Sequence, residues 1–359
     1  MATRILLAVL LFTPVPLVAQ EPEPEPGPVR LSGLFYLTYE QGEAAGEEYS
    51  EFAVNRSYLA GRVNVLPRLT ARITLDGRQD DTGDMKVRLK YAYASYDFGD
   101  VGPLTDLNLE AGIAHMVWLG FEESINLYRM REQMFMERSG LFNSADFGLT
   151  VAGLLGAELD PSFQRDVSDA APGRWGSFAV GVYNGGGYHA IEANENKTVE
   201  GRLTVRPLPD ALPGLQLSGL AIVGKGNRPA DLVDAPDWRT YNLFLSYQHE
   251  HATLTAQYVD GEGNQKGTFF DPTDPADATP YSGYAFFGEG KLGGWRIIAG
   301  YDDFDRTPGP SDRSFKRYHA GIGYDFGYRN ILLFDIDRRE WDADLPDDTR
   351  AQVVMQVRF

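Results

Sequence analysis

The sequence predicts an all-β fold, a transmembrane antiparallel β-barrel of about sixteen strands with short periplasmic turns. Three observations support this prediction: apolar and polar residues alternate along most of the chain, short turns alternate with long loops, and helical periodicity is nearly absent. A soluble β-sandwich or propeller also alternates, but it turns its apolar face inward. Here the polar phase carries many charges that a packed core could not bury unpaired, which favours a membrane barrel.

The first 19 residues have the layout of a secretory signal peptide. One cation, Arg4, precedes the apolar run ILLAVLLF, and the segment 1–19 closes on the small residue Ala19. A buried N-terminal helix is the alternative. Residues 20–29, which include EPEPEPGP, are expected to form a stiff, charged periplasmic spacer, and residues 30–359 a single barrel domain.

The composition restricts the partners of the protein. There are 51 acidic residues against 33 basic ones, a net charge of -18, which argues against nucleic acid as a partner. The chain has no cysteine, so an exported form would have to be stable without disulfide bonds. After the N-terminal segment, no apolar run approaches the roughly 18 residues that a membrane-spanning helix needs.

Sixteen segments with period-two alternation follow one another, each of about ten residues, the length that crosses a bilayer at a steep tilt. Short turns such as LPR, HEHA, KLGG and GYR join some neighbours, and long acidic stretches such as GNQKGTFFDPTDPADATP join others. This asymmetry is typical of outer-membrane barrels, whose turns face the periplasm. The segments are centred on 30–40, 51–65, 68–78, 86–98, 107–116, 146–156, 175–184, 197–206, 214–224, 238–248, 252–261, 282–291, 295–304, 316–326, 330–339 and 350–359.

The C-terminal stretch RAQVVMQVRF continues the strand pattern to the last residue, Phe359. An apolar stripe of this kind requires a partner strand, because open sheet edges are not tolerated in lipid. We therefore expect the last segment to pair with the first, around Leu31–Tyr39, and to close the barrel.

Barrels of this size leave an aqueous channel, so the charges on the inward phase decide which solutes pass. Arginine suits carboxylates and phosphates, which indicates small anionic solutes. The alternative is that the arginines pair with neighbouring acids or bind lipopolysaccharide phosphates at the rim. The second to fourth segments carry most of the predicted pore-lining cations, which are Arg56, Arg62, Arg68, Arg72, Arg78, Arg88 and Lys90.

The stretch from Val117 to Ala145 differs from the other loops because it is amphipathic and rich in Met and Phe. We expect it to fold into the lumen, with its apolar face on the barrel wall; an external docking lobe is the alternative. Inside the lumen it would form a constriction with both signs of charge. The charged residues of this predicted constriction are Glu122, Glu123, Arg129, Arg131 and Arg138.

Other functional classes have weaker support. A hydrolase at the barrel rim would need a histidine beside a carboxylate, for which His319 near Asp325 is the candidate pair. A non-conducting adhesin or structural barrel is a further alternative. The five histidines lack metal-ligand spacing, and the Asp-rich loops lack the EF-hand pattern. The sequence therefore predicts no enzyme, no metal and no cofactor.

Several stretches resemble the phosphate-selective porin family, of the O and P type. They are NRSYLAGRVNVLPRLTARITLD, LKYAYASYDF, and WLGFEESINLYR followed by SGLFNSADFGLTVAG. The similarity covers mainly 50–155. It implies a sixteen-stranded, usually trimeric barrel in the outer membrane of a Gram-negative type of cell, in contact with lipid and lipopolysaccharide.

The resemblance also implies arginines along the wall and lysines near the constriction that capture phosphate, and a barrel-assembly machinery that reads the terminal Phe359. The wall arginines match this pattern, but the loop 117–145 contains no lysine. The prediction is therefore a porin for passive diffusion of small hydrophilic solutes, preferably anions, with phosphate among the candidates. A Debye length of about 8 Å hides the acidic loops from the constriction, so a weak anion preference is expected despite the negative net charge.

Overall fold

The computed structural model describes residues 26–80, 82–229, 234–306, 314–342 and 345–359. The predicted signal peptide, 1–19, and most of the predicted spacer, 20–29, lie outside the described residues. The described end of that spacer, 26–29, has no regular secondary structure.

Within these ranges sixteen strands form one closed antiparallel barrel, as the sequence predicts. Two further short strands, β12 and β13, pair with each other in the loop between β11 and β14. The strands are β1 Arg30–Ala44, β2 Glu47–Leu66, β3 Leu69–Gln79, β4 Met85–Val101, β5 Leu104–His115, β6 Ala145–Leu155, β7 Gly176–Tyr183, β8 Thr198–Val205, β9 Leu215–Lys225, β10 Asp237–His249, β11 Ala252–Glu262, β12 Phe270–Asp271, β13 Asp274–Ala278, β14 Pro280–Leu292, β15 Trp295–Arg306, β16 Phe315–Asp325, β17 Ile331–Trp341 and β18 Asp348–Arg358.

The barrel closes between its first and last strands. β1 and β18 pair antiparallel, with Leu34 opposite Arg358. Beyond this ladder, Gly33 N donates to Phe359 O at 2.9 Å, and Phe359 N donates to Gly33 O at 3.1 Å. The predicted pairing of the first and last segments is confirmed, and each barrel strand has a hydrogen-bonded neighbour on both sides.

Side chains on successive strand positions face opposite sides of the wall, because the strand period is two. On β10, Leu243 and Leu245 are exposed on the outer surface, whereas Asn242, Phe244 and Ser246 are buried inside. Exposed Leu, Ile, Val and aromatic side chains recur in this way on nearly every strand. An outer surface this apolar is the surface that a barrel presents to lipid.

The two ends of the barrel differ, and we name them the turn end and the loop end. The turn end carries both termini of the barrel and seven of its connections, which are β2–β3, β4–β5, β6–β7, β8–β9, β10–β11, β14–β15 and β16–β17. The remaining connections lie at the loop end. β2 and β4 are longer than the expected ten residues, at 20 and 17. β2 extends at the loop end, where it continues to pair with β1. β4 extends at both ends, because it pairs with β3 alone at the loop end and with β5 alone at the turn end.

In the described parts of the connections there are three short helices: α1 Leu119–Ile125, α2 Phe135–Arg138 and α3 Pro161–Asp166. α1 and α2 belong to the β5–β6 connection, and α3 belongs to the β6–β7 turn. In the part of the chain that the structure describes, no helix has the length and apolar character needed to cross a membrane.

Candidate channel constriction

The connection between β5 and β6, residues 116–144, enters the barrel, and we call it the inner loop. Trp118 of this loop is fully buried, with its ring 5.4 Å from that of Phe244 on β10. Met136 and Leu141 are also fully buried in the same cluster, which includes side chains of β9–β11 and β14–β16. The apolar face of the loop therefore packs on the inside of the wall, as its sequence predicts, and the loop is not an external lobe.

Glu132 fixes the inner loop to three neighbouring strands. Its carboxylate pairs with Arg317 on β16, and with Arg339 on β17 and Arg350 on β18 at 3.4 Å each. Burial opposes ionisation, but the three guanidiniums outweigh it and hold the pKa of Glu132 well below its usual range. Glu132 is therefore an ionised anchor. The sequence prediction missed it, because its partners lie far along the chain.

Two arginines of the inner loop also pair with wall residues. Arg131 Nη1 lies 2.8 Å from Asp337 on β17, and Arg138 pairs with Asp302 on β15. Both arginine side chains are buried. The positive charges predicted for the constriction at these positions are thus balanced by acids of the wall.

The two glutamates of α1 have different surroundings. Glu122 is buried and accepts a hydrogen bond from Nε1 of Trp118 at 2.8 Å. Burial raises the pKa of Glu122 to about 7, partly offset by that hydrogen bond. Glu123 lies 3.1 Å from Arg129, whose guanidinium also donates to Glu137 at 2.9 Å. The charge of Arg129 is therefore balanced within the loop.

The opposite wall, β2–β4, brings the strand cations together. Arg62 lies opposite Arg72 in the β2–β3 register, and Arg88 lies opposite Asp76 in the β3–β4 register. Asp76 is already paired with Arg56 at 2.6 Å. Among the described residues, Arg62, Arg72 and Arg88 have no ion-pair partner, so this wall carries an excess of positive charge. Arg68 lies in the β2–β3 turn and not on the wall.

Lys90 occupies an irregularity of β4. The β3–β4 register shifts next to Thr74, which leaves Lys90 without an opposite residue. Its side chain is buried, and Nζ lies 4.7 Å from the ring centre of Tyr58 and 5.5 Å from that of Tyr91. Because β4 bulges at this point, the lysine stem is directed between two aromatic rings.

A cavity of about 300 Å³ lies between this wall, β1, β18 and the inner loop. Its lining includes Arg72 and Lys90 on the strand side and Glu123 and Arg129 on the loop side. Tyr58 and other apolar groups complete it. The inner loop packs its apolar face on the far wall, so this space is left on the cation-rich side of the barrel.

The β6–β7 turn, residues 156–175, reaches across the turn end of the barrel, and we call it the mouth strap. Ser168 Oγ donates to Oε1 of Gln248 on β10 at 2.8 Å. Asp169 accepts from Arg329 of the β16–β17 turn at 3.1 Å. Since β6–β7 and β16–β17 lie on opposite sides of the barrel, the two turns meet across its mouth. The length of this connection can be read from the sequence, but nothing in its pattern predicts these contacts.

The proposed His–carboxylate pair of a rim hydrolase does not form. The ring nitrogens of His319 have no hydrogen-bond partner among the described residues, and the ring stacks on Phe287 with centres 6.3 Å apart. Asp325 instead lies 3.2 Å from Arg296. In the described ranges, no group of three or more His, Cys, Asp or Glu side chains is arranged to hold a metal ion.

Solved structures of bacterial porins have the same fold. The anion-selective porin from Comamonas acidovorans aligns with a TM-score of 0.63 and 14% identity, over 93% of this chain and 100% of that one. OmpF of Salmonella typhi, in a complex with daunomycin, aligns with a TM-score of 0.62 and 14% identity, over 92% of this chain and 97% of that one. A mutant of the Rh. blastica porin aligns with a TM-score of 0.53 and 12% identity, over 92% of this chain and 100% of that one. No family model and no curated protein matches the chain. The chain therefore has the porin fold, a sixteen-stranded barrel with an inward-folded loop.

Proposed function

We propose that this protein is an outer-membrane channel for passive diffusion of small hydrophilic solutes, with a preference for anions. The observation that carries the proposal is the excess of positive charge on β2–β4. Arg72 and Lys90 line the cavity, Arg62 and Arg88 lie elsewhere on the same wall, and none of the four has an acidic ion-pair partner among the described residues. In a narrow lumen with low-dielectric walls, such charges act strongly on a passing ion.

The net charge of the chain does not oppose this preference. It is -18 because acids outnumber bases in the sequence as a whole. A Debye length of about 8 Å screens acids on distant loops, whereas cations at the cavity act directly on the solute. The paired Arg56, Arg129, Arg131 and Arg138 contribute less than the sequence alone would suggest.

Selection of phosphate has partial support. The sequence resembles the phosphate-selective porins, and one of the proteins with a similar structure is an anion-selective porin. The inner loop, however, has no lysine, and its arginines are engaged by acids. Lys90 supplies an ammonium from the strand side instead. We therefore propose a preference for small anions in general, with Arg62, Arg72, Arg88 and Lys90 as pore-lining cations and Glu122 and Glu123 opposing them.

The proposed setting is the outer membrane of a Gram-negative type of cell, reached through a cleaved signal peptide. The apolar outer surface suits contact with lipid, and the loop end suits contact with lipopolysaccharide. Phe359, at the seam, would be the residue that the barrel-assembly machinery recognises. A homotrimer is the expected assembly. A catalytic role is not part of the proposal.

Recording in planar lipid bilayers tests the proposal. The purified protein should produce stable stepwise conductance, and the reversal potential in a KCl gradient should have the sign of chloride selectivity. A rim hydrolase, an adhesin or a purely structural barrel would produce no steps. Absence of steps from folded, heat-modifiable protein would contradict the channel, and firm cation selectivity would contradict the anion preference.

A further inference from the structure

The ammonium group of Lys90 is buried, and no carboxylate among the described residues lies within ion-pair distance of it, although Glu123 acts on it from a greater distance. The Lys90 side chain is only 5% exposed. Among the described residues it forms no ion pair and no hydrogen bond. Its Nζ lies over the aromatic faces of Tyr58 and Tyr91. Attraction to these rings offsets part of the cost of burial but satisfies none of the three N–H donors. A buried cation in this state is a site for an anionic acceptor.

Two further donors accompany it. The hydroxyl group of Tyr58 is buried and has no hydrogen-bond partner among the described residues. Arg72 lies over the same Tyr91 ring, 5.0 Å from its centre, and has no carboxylate partner in the described ranges. Its Nε donates to Thr74 at 3.0 Å and its Nη1 to the Tyr93 hydroxyl at 3.5 Å, while the guanidinium also lines the cavity. Three donor groups without acidic partners thus border one cavity.

The rest of the cavity is not suited to a bare inorganic ion. Its volume, about 300 Å³, is at the lower limit for sites that hold small organic molecules. Leu34, Tyr36, Ala60 and Leu127 provide apolar surface in the same lining. Leu34 is the cross-strand partner of Tyr58 in the β1–β2 register, so apolar surface adjoins the donors. The only acidic side chain among its described lining residues, Glu123, is paired with Arg129 at 3.1 Å. The lining therefore combines a charged edge with an apolar wall.

We infer that this cavity is a binding site for small organic monocarboxylates that pass through the channel. One carboxylate would accept hydrogen bonds from Lys90, Tyr58 and Arg72, and the organic body would lie on the apolar wall. Charge-assisted hydrogen bonds of this kind are about twice as strong as neutral ones. The inference rests on the proposed function for the route by which the solute arrives, but the site itself can be tested without conduction.

Benzoate is the probe, and benzyl alcohol is the neutral control of the same shape. Titration calorimetry on the detergent-solubilised protein should detect benzoate binding and no binding of benzyl alcohol. Lys90→Met should weaken benzoate binding about tenfold or more, and Tyr58→Phe, which removes only the hydroxyl, several-fold. The matched control is Lys86→Met on the same strand, because Lys86 is exposed and already paired with Asp80 at 2.6 Å.

The outcomes separate the site from the channel. Lys90-dependent binding of benzoate to a protein that does not conduct would support the site and contradict the proposed function. Conduction without benzoate binding would support the function and overturn the site, leaving Lys90 hydrated by lumen water. Equal or tighter binding of inorganic phosphate would overturn the assignment to organic carboxylates. Equal losses in Lys86→Met and Lys90→Met would likewise contradict a specific contact.

Discussion

Arg329 and Asp169 lie in turns on opposite sides of the barrel, yet Nη2 of the arginine is 3.1 Å from Oδ1 of the aspartate. Both side chains are exposed, so the pair itself adds little stability. Its significance is geometric. The mouth strap and the β16–β17 turn meet across the turn-end opening. In the proposed channel, a solute that has passed the inner loop would therefore pass beside them.

Cross-linking tests this arrangement. The chain has no cysteine, so Asp169→Cys combined with Arg329→Cys gives a single pair of thiols. A short bis-maleimide should join the two thiols. After the chain is cleaved between the two sites, the cross-link should hold the fragments together and shift the band on a denaturing gel. Conductance should also fall. The control pairs Arg329→Cys with Arg165→Cys, since Arg165 contacts its own neighbour Asp166 at 2.7 Å. Equal cross-linking of both pairs would mean that the turns do not meet in a defined way.

The seam between β1 and β18 depends on the absence of a side chain at Gly33. A Cβ there would overlap the ring of Phe359, whereas a Cβ on Gly61 would meet nothing closer than 3.7 Å. Gly33→Val should therefore displace this ring. Because the ring is exposed and can turn away, we expect the folded barrel to lose less than the roughly 1–3 kcal/mol typical of overpacking a closed core. Heat-modifiability on gels measures this change, with Gly61→Val as the neutral control.

Adding Phe359→Ala to Gly33→Val separates ring overlap from other effects. If the ring is the cause, the second substitution should restore part of the lost stability, which is a non-additive result for residues in contact. Strictly additive losses would contradict the proposed overlap.

Glu132 is the anchor that holds the inner loop on β16–β18. Glu132→Gln keeps the shape but leaves Arg317, Arg339 and Arg350 with one acidic partner fewer. Removing one member of a fully buried ionic cluster typically costs about 3–5 kcal/mol, and we expect a smaller loss here because the Glu132 side chain is 23% exposed. We expect noisier single-channel currents and stronger anion selectivity, because the loop loosens and positive charge is released. The control is Glu340→Gln, because Glu340 forms an exposed ion pair with Arg338. This variant should leave both the current noise and the ion selectivity unchanged.

Much of the barrel could be predicted from sequence because strand alternation is a local signal. The first and last segments, for example, end within a few residues of β1 and β18. The electrostatics of the constriction could not be predicted from sequence, because the charge balance of each residue depends on partners far away along the chain. Glu132 and Arg317 are 185 residues apart, and no spacing rule connects them. Lys90 was expected on the inward phase, but its burial results from a register shift that periodicity does not reveal.

The central claim is that unpaired cations on β2–β4 determine anion passage through this channel. The most direct measurement is the reversal potential in a KCl gradient for the wild type and for Arg72→Gln combined with Lys90→Met. We predict chloride selectivity in the wild type and a shift toward potassium in the double variant. The paired cation Lys86, replaced by Met, should cause a smaller shift because Asp80 already balances it. A cation-selective wild type, or a reversal potential that the double variant leaves unchanged, would contradict the claim.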